Sequence, residues 1–319
     1  MEVVRGPDHC PAPVRGSAVT IGAYDGVHIG HRHLIGALRS MADERDLDTV
    51  VVTFDRHPAG VVRPDSSPPQ LTDLEQKLEL LAACGVDRTL VVEFNETRAN
   101  ETAEDFVIEV LVKALGAKVV VVGEDFHFGH GRKGNVALLT EMGARFGFEV
   151  VGLGLEADQA DRTGEAVSST RIRRLLADGD VGSASRLLGR FHQVRGVVVR
   201  GDGRGGPELG YPTANLDVPS EVALPGEGIY ACRYQRADGS VYDAAASVGH
   251  RPTFHTREGA PLLEAFLLDF DGDLYGEQAR VSFVERLRDD KRFASVDDLV
   301  AQMAVDVAAA RVVLASAPR

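Results

Sequence analysis

The chain changes its hydrophobic period once, near residue 189, and this change constrains the fold more than any other feature. Before it, short β-branched runs such as TVVVTF and KVVVVG alternate with segments whose apolar residues recur at helical spacing. After it, apolar runs follow one another with only turns of Gly, Pro and Asp between them. Two different architectures are therefore expected, one after the other along the chain.

The first half predicts a doubly wound α/β domain with a parallel sheet. Most of its strand-like runs are apolar at consecutive positions, as expected of strands that are covered on both faces. Strands that alternate with helices form βαβ units with right-handed crossovers. Thr72 and Thr102 are the predicted N-caps of the second and third helices. In such a sheet the ligand site lies at the carboxyl ends of the strands.

The second half predicts an antiparallel barrel or sandwich followed by a terminal helix. Its apolar runs include HQVRGVVVRG, GIYACRYQR and LLEAFLLDF. The last segment is amphipathic, opens at the capping candidate Ser295 and is expected to pack on the barrel. The boundary between the halves falls near LADGDVGSASRLLGR, so the predicted domains are residues 1–185 and 186–319.

Composition narrows the classes of protein to which these domains can belong. The 319 residues include 35 Lys and Arg against 48 Asp and Glu, a net charge of -13, so binding to nucleic acid or to an anionic membrane is not expected. The three separated cysteines suggest neither a disulfide framework nor a metal site. We recognise no signal peptide and no membrane span of about 20 apolar residues, and we expect a cytoplasmic protein.

The segment TIGAYDGVHIGH follows the first strand and runs into a helix. A helix N-terminus offers unpaired N–H groups and a partial positive charge, and Gly26 and Gly30 let an anion approach the backbone. His28 and His31 are three residues apart, so both imidazoles can face one phosphate as hydrogen-bond donors. The alternative is that one histidine caps the turn while the other packs in an interface.

A second cluster, SSTRIRRLL, opens another helix. Ser168, Ser169 and Thr170 supply hydroxyl caps, and Arg171 and Arg173 follow in the first turns. Arginine at a helix start is unfavourable for the helix dipole unless an anion is bound there. The segment therefore predicts a second phosphate site, and it equally fits a capped amphipathic helix with solvated arginines.

The segment RGDGRGGPELGYPTANLD carries the densest signal of the second half. Its glycines formally match the dinucleotide-binding pattern GxGxxG, but Pro207 and a further turn follow where that pattern requires a helix. A glycine-rich turn between antiparallel strands can still wrap phosphates with its backbone amides. Thr213 and Asn215 place a hydroxyl and an amide oxygen on one side of an extended segment, which suits Mg²⁺ and also fits an ordinary turn.

Together, HIGH and SSTRIR resemble the HxGH nucleotidyltransferase superfamily. With TFDRHP and GEDFHFG they resemble, more narrowly, the adenylyltransferase half of bacterial bifunctional riboflavin kinase/FAD synthetases. The resemblance implies that the ATP phosphates are held by His28, His31, Ser169, Thr170 and Arg171. It places four residues in the nucleotide pocket: Gly22, Tyr24, Asp25 and Gly30. It places three in the flavin pocket: Asp125, Phe126 and Phe128. Asp25 is as readily a backbone cap, and Tyr24 stands where the family usually has Phe.

The downstream motifs resemble those of riboflavin kinases: GxGRG and LGYPTANL are followed in order by SVGHRPTF and LLEAFLL. The resemblance implies phosphate contacts by Gly203 and Gly205 and binding of Mg-ATP by Thr213 and Asn215. It makes Glu264 the catalytic base. The chemistry needs a base, because the ribityl hydroxyl of riboflavin is neutral when it attacks the γ-phosphate. Glu264 also lies in an apolar run, where a carboxylate is costly without a role or a partner.

The resemblance spans nearly the whole chain and implies an enzyme that phosphorylates riboflavin to FMN and adenylylates FMN to FAD, both with Mg²⁺ and ATP. The FMN phosphate is already ionised, so the second step requires no base and the histidines are interpreted as clamps on the ATP phosphates. One alternative is a riboflavin kinase with a non-catalytic, regulatory N-terminal domain. Another is a flavin-binding protein without activity, which would need neither Glu264 nor the pair of Thr213 and Asn215.

Overall fold

The computed structural model describes residues 1–11, 15–154, 165–200, 211–250 and 261–318. They form two compact units, Met1–Ser168 and Ser169–Arg319. The predicted limits of the functional domains, 1–185 and 186–319, stay a prediction, because a unit of packing and a unit of activity need not end at the same residue.

The first unit is built on a parallel sheet, as predicted. Its strands are β1 (Glu2–Arg5), β2 (Ser17–Ile21), β3 (Asp48–Phe54), β4 (Arg88–Val92), β5 (Ala117–Gly123), β6 (His127–Phe128), β7 (Gly134–Asn135) and β8 (Glu149–Leu153). Six of them form one sheet in the order β1-β4-β3-β2-β5-β8, and β6 and β7 form a separate hairpin. The chain adds strands on one side of β2 and then on the other, so the topological switch point lies between β2 and β5. Ligand sites of doubly wound sheets form at such a point.

Helices cover both faces of this sheet. They are α1 (Ile29–Arg45), α2 (Ala59–Val62), α3 (Leu74–Ala83), α4 (Glu96–Ala99), α5 (Ala103–Phe106), which continues as a π-helix over Val107–Ala114, and α6 (Val136–Phe146). Val50 and Val52 pack in the core on one face, whereas their neighbour Val51 packs on the other. Because successive side chains of a strand point to opposite faces, burial on both faces requires the continuous apolar runs seen in the sequence.

Two local features of the first unit differ from the sequence predictions. The N-cap of α3 is Asp73, whose carboxylate accepts from the backbone N–H of Gln76, so the prediction of Thr72 was wrong by one residue. Thr102 caps α5 as predicted. Strand β1 was not predicted, because it is a four-residue edge strand in which only Val4 is buried.

The second unit is a closed six-stranded barrel, so of the two architectures predicted from the sequence the barrel is correct and the sandwich is not. Its strands are β9 (His192–Val199), β10 (Ala214–Asp217), β11 (Gly228–Gln235), β12 (Val241–His250), β13 (Pro261–Leu267) and β14 (Gln278–Arg288). They close antiparallel in the order β10-β13-β12-β11-β14-β9. The interior is filled by large side chains that include Tyr230, Tyr234 and Phe283, all fully buried.

Helices α7 (Ser169–Ala177), α8 (Val181–Leu188) and α9 (Val296–Ser316) belong to the second unit. Ser295 caps α9 as predicted, by accepting from the N–H of Asp298. Helix α9 packs on the barrel, with Ala310 and Leu314 in one apolar cluster with Ala231.

Helix α9 is long and apolar enough to cross a membrane by length and composition, which qualifies the prediction that no segment approaches such a span. A helix packed in a protein passes the same test, so this observation is weak by itself. Asp306 on this helix forms a two-point ion pair with Arg288 of β14, at 2.7 and 2.9 Å. The C-terminal carbonyls of Leu314 and Ala317 accept from Arg233 of β11.

Candidate active sites

A strained turn leads from β2 into α1 at the switch point of the sheet. Tyr24 and Val27 have positive φ angles of 50° and 38°, which are rare for residues with a side chain. Backbone strain of this kind persists only where the surrounding structure holds it, and it concentrates at functional sites. The turn thereby places His28 at the N-cap of α1 and His31 in its first turn.

The two histidines stack on each other. Their ring centroids are 3.6 Å apart with an angle of 15° between the planes. His28 Nδ1 accepts from the backbone N–H of His31 at 3.3 Å, so the neutral ring carries its proton on Nε2. His28 therefore caps the helix, as one alternative held, and the same bond sets the tautomer in which Nε2 is a donor.

His31 is held neutral. Burial lowers its pKa well below the usual range, and the charges of His28 and Lys77 lower it further. Its Nδ1 is buried and has no hydrogen-bond partner among the residues that the structure describes. A buried polar atom without a partner is rare in folded proteins and points to a missing ligand or water.

Gly22, Tyr24 and Gly30, which were predicted to shape the nucleotide pocket, pack around the two histidines. A Cβ on Gly30 would lie 3.3 Å from the His28 ring, and one on Gly22 would lie 3.0 Å from the Tyr24 ring, so both glycines make room for a ring. The Tyr24 hydroxyl, which the Phe expected from the resemblance would lack, is hydrogen-bonded to Thr20 Oγ1 at 2.6 Å. The substitution is thus accommodated inside the core.

Asp25 is used in the structure as a backbone cap. Its buried carboxylate accepts from the N–H groups of Leu71 and Thr72 at 2.9 to 3.2 Å. Thr72, in turn, accepts from the N–H of Gly26 through its hydroxyl. These bonds tie the turn before His28 to the segment before α3, so they hold the strained backbone in place.

Asp25→Ala is expected to lower the free energy of unfolding, because it leaves the buried N–H groups of Leu71 and Thr72 without an acceptor, at a cost of about 1 to 3 kcal/mol each. Denaturant unfolding measures the effect, with Asp43→Ala on the exposed face of α1 as the control. A variant that keeps its stability would contradict this structural role of Asp25.

Asp125, Phe126 and Phe128 follow β5, on the other side of the switch point. Asp125 is exposed. The rings of Phe126 and Phe128 lie 5.4 Å apart and nearly parallel, and both pack on the edge of the core while staying partly exposed. Gly134 admits the Phe128 ring, which a Cβ there would meet at 2.7 Å. The pair therefore offers an aromatic surface beside the switch point, suited to a flat ring.

Ser169, Thr170 and Arg171 open α7 in the second unit. Arg171 is only 7% exposed, and a buried guanidinium must be paired. This corrects the alternative of solvated arginines for Arg171, whereas Thr170 is exposed. Their joint action with the histidines on one triphosphate stays a prediction.

A cavity of about 1080 Å³ lies in the first unit near the carboxyl ends of β1 and β4. Its wall includes Arg98, which forms ion pairs of 2.8 and 3.0 Å with Glu101 and Glu109. Asp55 also lines it, and its carboxylate accepts from the N–H of Phe94. The wall carries six carboxylates against three Lys and Arg side chains, so it is acidic and does not suit an anion such as a phosphate.

The barrel brings Asn215 and Glu264 face to face. Asn215 on β10 is the register partner of Glu264 on the antiparallel neighbour β13. Directly opposed residues of an antiparallel pair point to the same side, with Cβ atoms about 5 Å apart. Ser247 of β12 is the register partner of Glu264 on the other side. The three side chains therefore form a polar row across three strands.

Glu264 lies on the outer face of the barrel, half-buried, whereas its neighbours Leu263 and Ala265 are fully buried inside. Successive side chains of the run LLEAFLL point alternately into and out of the barrel, so the carboxylate does not lie in the core. Phe266 lies on the same face as Glu264. Its ring contacts that of Tyr211, with 5.1 Å between the ring centroids.

Asn215 is the most informative of the predicted metal ligands. It is 7% exposed, and its Oδ1 is buried without a hydrogen-bond partner among the described residues. Thr213, two residues earlier, is partly exposed. Gly203 and Gly205 lie outside the described residues.

Sequence reasoning missed Lys77 and Ser247. Lys77 occupies one stripe of α3 with Leu74, Leu78 and Leu81, at the spacing that marks a buried face. A lysine in such a stripe was the available signal. No comparable signal marks Ser247, because its place beside Glu264 depends on the barrel register.

These features define a two-unit transferase that handles nucleotides, with an HxGH turn on a doubly wound sheet and a carboxylate opposite a buried amide oxygen on a barrel. The family model described as FAD synthetase matches residues 10–171, and the one described as riboflavin kinase matches residues 188–314. The chain belongs to the family of bifunctional riboflavin kinase/FMN adenylyltransferases.

Relatives of that name cover the chain almost completely. The protein from Escherichia coli K12 is 38% identical over 98% of this chain and 97% of its own length. The one from Haemophilus influenzae is 35% identical over 98% of both. A crystal structure described as a macrolide-efflux protein from Streptococcus pneumoniae matches with a TM-score of 0.84 and 31% identity, over 98% of this chain and 99% of that one. That description concerns the other protein and carries no activity over to this chain.

Proposed function

We propose that this chain phosphorylates riboflavin to FMN and then transfers the adenylyl group of ATP to FMN, which gives FAD and pyrophosphate. The opposed pair of Asn215 and Glu264 on β10 and β13 is the observation that carries the kinase half. The stacked histidines at the switch point support the adenylyltransferase half. We assign these activities to residues 186–319 and 1–185, respectively.

In the kinase half, Glu264 takes the proton of the ribityl hydroxyl as that oxygen attacks the γ-phosphate of ATP and ADP leaves. A neutral alcohol needs such a base, and general base catalysis contributes roughly 10²- to 10⁴-fold to the rate. The half-exposed position of Glu264 on the outer face of the barrel leaves it open to a substrate. Phe266 and Tyr211 provide aromatic surface on the same side.

In the adenylyltransferase half, the FMN phosphate attacks the α-phosphate of ATP and pyrophosphate leaves. The nucleophile is ionised, so His28 and His31 act as donors to phosphate oxygens and not as bases. The neutral state of His31 and the Nε2 proton of His28 suit this role. Ser169, Thr170 and Arg171 add donors from α7, and Asp125, Phe126 and Phe128 border the flavin. The nucleotide pocket also includes Gly22, Tyr24 and Gly30.

Magnesium fits the barrel site, because the buried Oδ1 of Asn215 is a hard oxygen ligand to which no described residue donates a hydrogen bond. Thr213 supplies the second oxygen, two residues earlier on the same side of the segment. When bound there with ATP, the ion would neutralise charge on the phosphates. We assign the phosphate contacts of the same nucleotide to Gly203 and Gly205.

Asn215→Leu is expected to reduce riboflavin phosphorylation and to raise the Mg²⁺ concentration it requires, by roughly 10- to 100-fold. Folding stability should stay unchanged or rise, because an apolar side chain of similar size replaces a buried amide oxygen that has no partner among the residues described in the structure. Titration of the kinase rate with Mg²⁺ and thermal unfolding measure the two effects. FAD formation from FMN by the same variant is the control, and an unaltered Mg²⁺ requirement would remove Asn215 from the metal site.

Purified protein incubated with ATP, Mg²⁺ and either riboflavin or FMN tests the whole proposal, with the flavins separated by chromatography. Absence of both FMN and FAD from the first incubation refutes the kinase, and absence of FAD from the second refutes the adenylyltransferase. The second outcome alone would favour a kinase with a regulatory nucleotide-binding domain. The substrates are flavins and ATP, and we place the enzyme in the cytoplasm without a nucleic-acid or membrane partner.

A further inference from the structure

Lys77 is a buried cation beneath the histidine turn. It is 6% exposed, and its Nζ donates to the carbonyl oxygens of Ala23 at 3.2 Å and Phe54 at 2.8 Å. Ala23 lies between β2 and the turn, and Phe54 is the last residue of β3. One ammonium group on α3 therefore joins the carboxyl ends of two neighbouring strands.

The backbone that Lys77 holds is the strained part of the turn. Tyr24, with its φ of 50°, directly follows Ala23. The Ala23 carbonyl accepts a second bond, from Thr53 Oγ1 at 3.2 Å. Hydrogen bonds to an ammonium group are roughly twice as strong as those between neutral groups, so Lys77 is the stronger of the two restraints on this carbonyl.

Several charged groups surround Lys77. Asp25 and Asp55 act on it from the turn and from the loop after β3, and its own charge acts on His31 of α1. Burial outweighs both carboxylates and lowers the pKa of Lys77 from 10.5 to about 8. A group that loses its proton near this pH changes its charge within the range in which enzymes are assayed.

We propose that Lys77 is a positioning residue for adenylyl transfer: its protonated form fixes the turn that carries His28 and His31, and loss of its proton sets the alkaline limit of this activity. The inference rests on the adenylyltransferase function proposed above. The neutral amine keeps two N–H donors, but its bonds to Ala23 and Phe54 weaken to neutral strength and the positive charge beside the phosphate site disappears.

Loss of the Lys77 proton is expected to lower the activity but to raise the free energy of unfolding. The unfolded chain holds the Lys77 proton up to about pH 10.5, whereas the folded chain releases it near 8. Between these values the unfolded state binds more protons, so the contribution of Lys77 to stability rises with pH. A decrease in activity in this window therefore cannot come from unfolding through Lys77, and this separates a positioning role from a purely structural one.

The test compares Lys77→Arg, Lys77→Met and the exposed control Lys118→Met in the full chain. We would measure kcat/KM for FMN adenylylation from about pH 6 to 10, since this parameter reports groups of the free enzyme. Riboflavin phosphorylation by each variant serves as the internal reference. We expect kcat/KM of the wild type to fall above about pH 8, and this alkaline limb to move to higher pH in Lys77→Arg. In Lys77→Met we expect kcat/KM to be roughly 10- to 100-fold lower at all pH values and to show no alkaline limb.

An alkaline limb that stays in place in Lys77→Arg would overturn the proposal, as would wild-type kcat/KM in Lys77→Met. If Lys77→Met fails to fold, as judged by circular dichroism, the Arg variant decides alone, because Arg stays protonated throughout this range. A wild-type protein that makes no FAD at any pH contradicts the adenylyltransferase function itself, which is a distinct result.

Discussion

Glu264→Gln is expected to abolish conversion of riboflavin to FMN while FMN is still converted to FAD. The amide has the shape of the carboxylate but cannot accept the proton of the ribityl hydroxyl, so we expect a loss of roughly 10²- to 10⁴-fold in kcat. Glu264 lies on the outer face of β13, with the core residues Leu263 and Ala265 pointing the other way. The fold should therefore tolerate the change.

The measurement separates riboflavin, FMN and FAD by chromatography after incubation with Mg-ATP, starting from riboflavin in one sample and from FMN in another. Glu285→Gln is a matched control, because Glu285 is an exposed glutamate on β14 of the same barrel. Phosphorylation of riboflavin at the wild-type rate in Glu264→Gln would refute the role of Glu264 as the general base. Loss of both activities would contradict two independent sites.

The double variant His28→Ala with His31→Ala is expected to give the reverse pattern, with riboflavin still phosphorylated and FMN no longer adenylylated. Removal of one preorganised donor to a transition-state oxyanion costs roughly 10²- to 10³-fold in kcat, and both rings are lost here. The same chromatographic assay measures this effect. His33→Ala, on the exposed side of α1, is the control.

His28 also caps α1, so its loss has a structural component of about 0.5 to 2 kcal/mol. His28→Asn separates the two roles, because asparagine is a good N-cap and cannot place a donor where Nε2 lies. We expect this variant to unfold like the wild type and still to lose adenylylation. Full activity in His28→Asn would mean that the imidazole matters for capping alone.

Both halves of the fold could be predicted from residue patterns, because each pattern expresses a physical constraint of its own. Strands such as β3 and β5 must be apolar on consecutive residues when helices cover both faces. The barrel strands carry turns at short spacing and no helix between them. Strand β1 was not predicted because it lies at the edge of the sheet and buries only Val4, so it has no continuous apolar run. It forms through its pairing with β4.

The candidate sites were predictable where their residues are close in sequence. His28 and His31 are three residues apart at a helix start, and Thr213 and Asn215 are two apart on one strand side, so local geometry alone brings each pair together. The functions of Asp25 and Lys77 depend on bonds to segments 23 to 54 residues away, and no local pattern contains such bonds.

By itself, the sequence determined the two architectures and the histidine turn, because hydrophobic period and short-range spacing act within a few residues, whereas Glu264 was proposed as the base from the resemblance. Only the tertiary structure decided that Asn215 opposes Glu264, that Glu264 points out of the barrel, and that Lys77 holds the strained turn. Strand register and the packing of α3 on the sheet are set by contacts across the whole unit, so the chemistry of these side chains becomes defined only when the chain has folded.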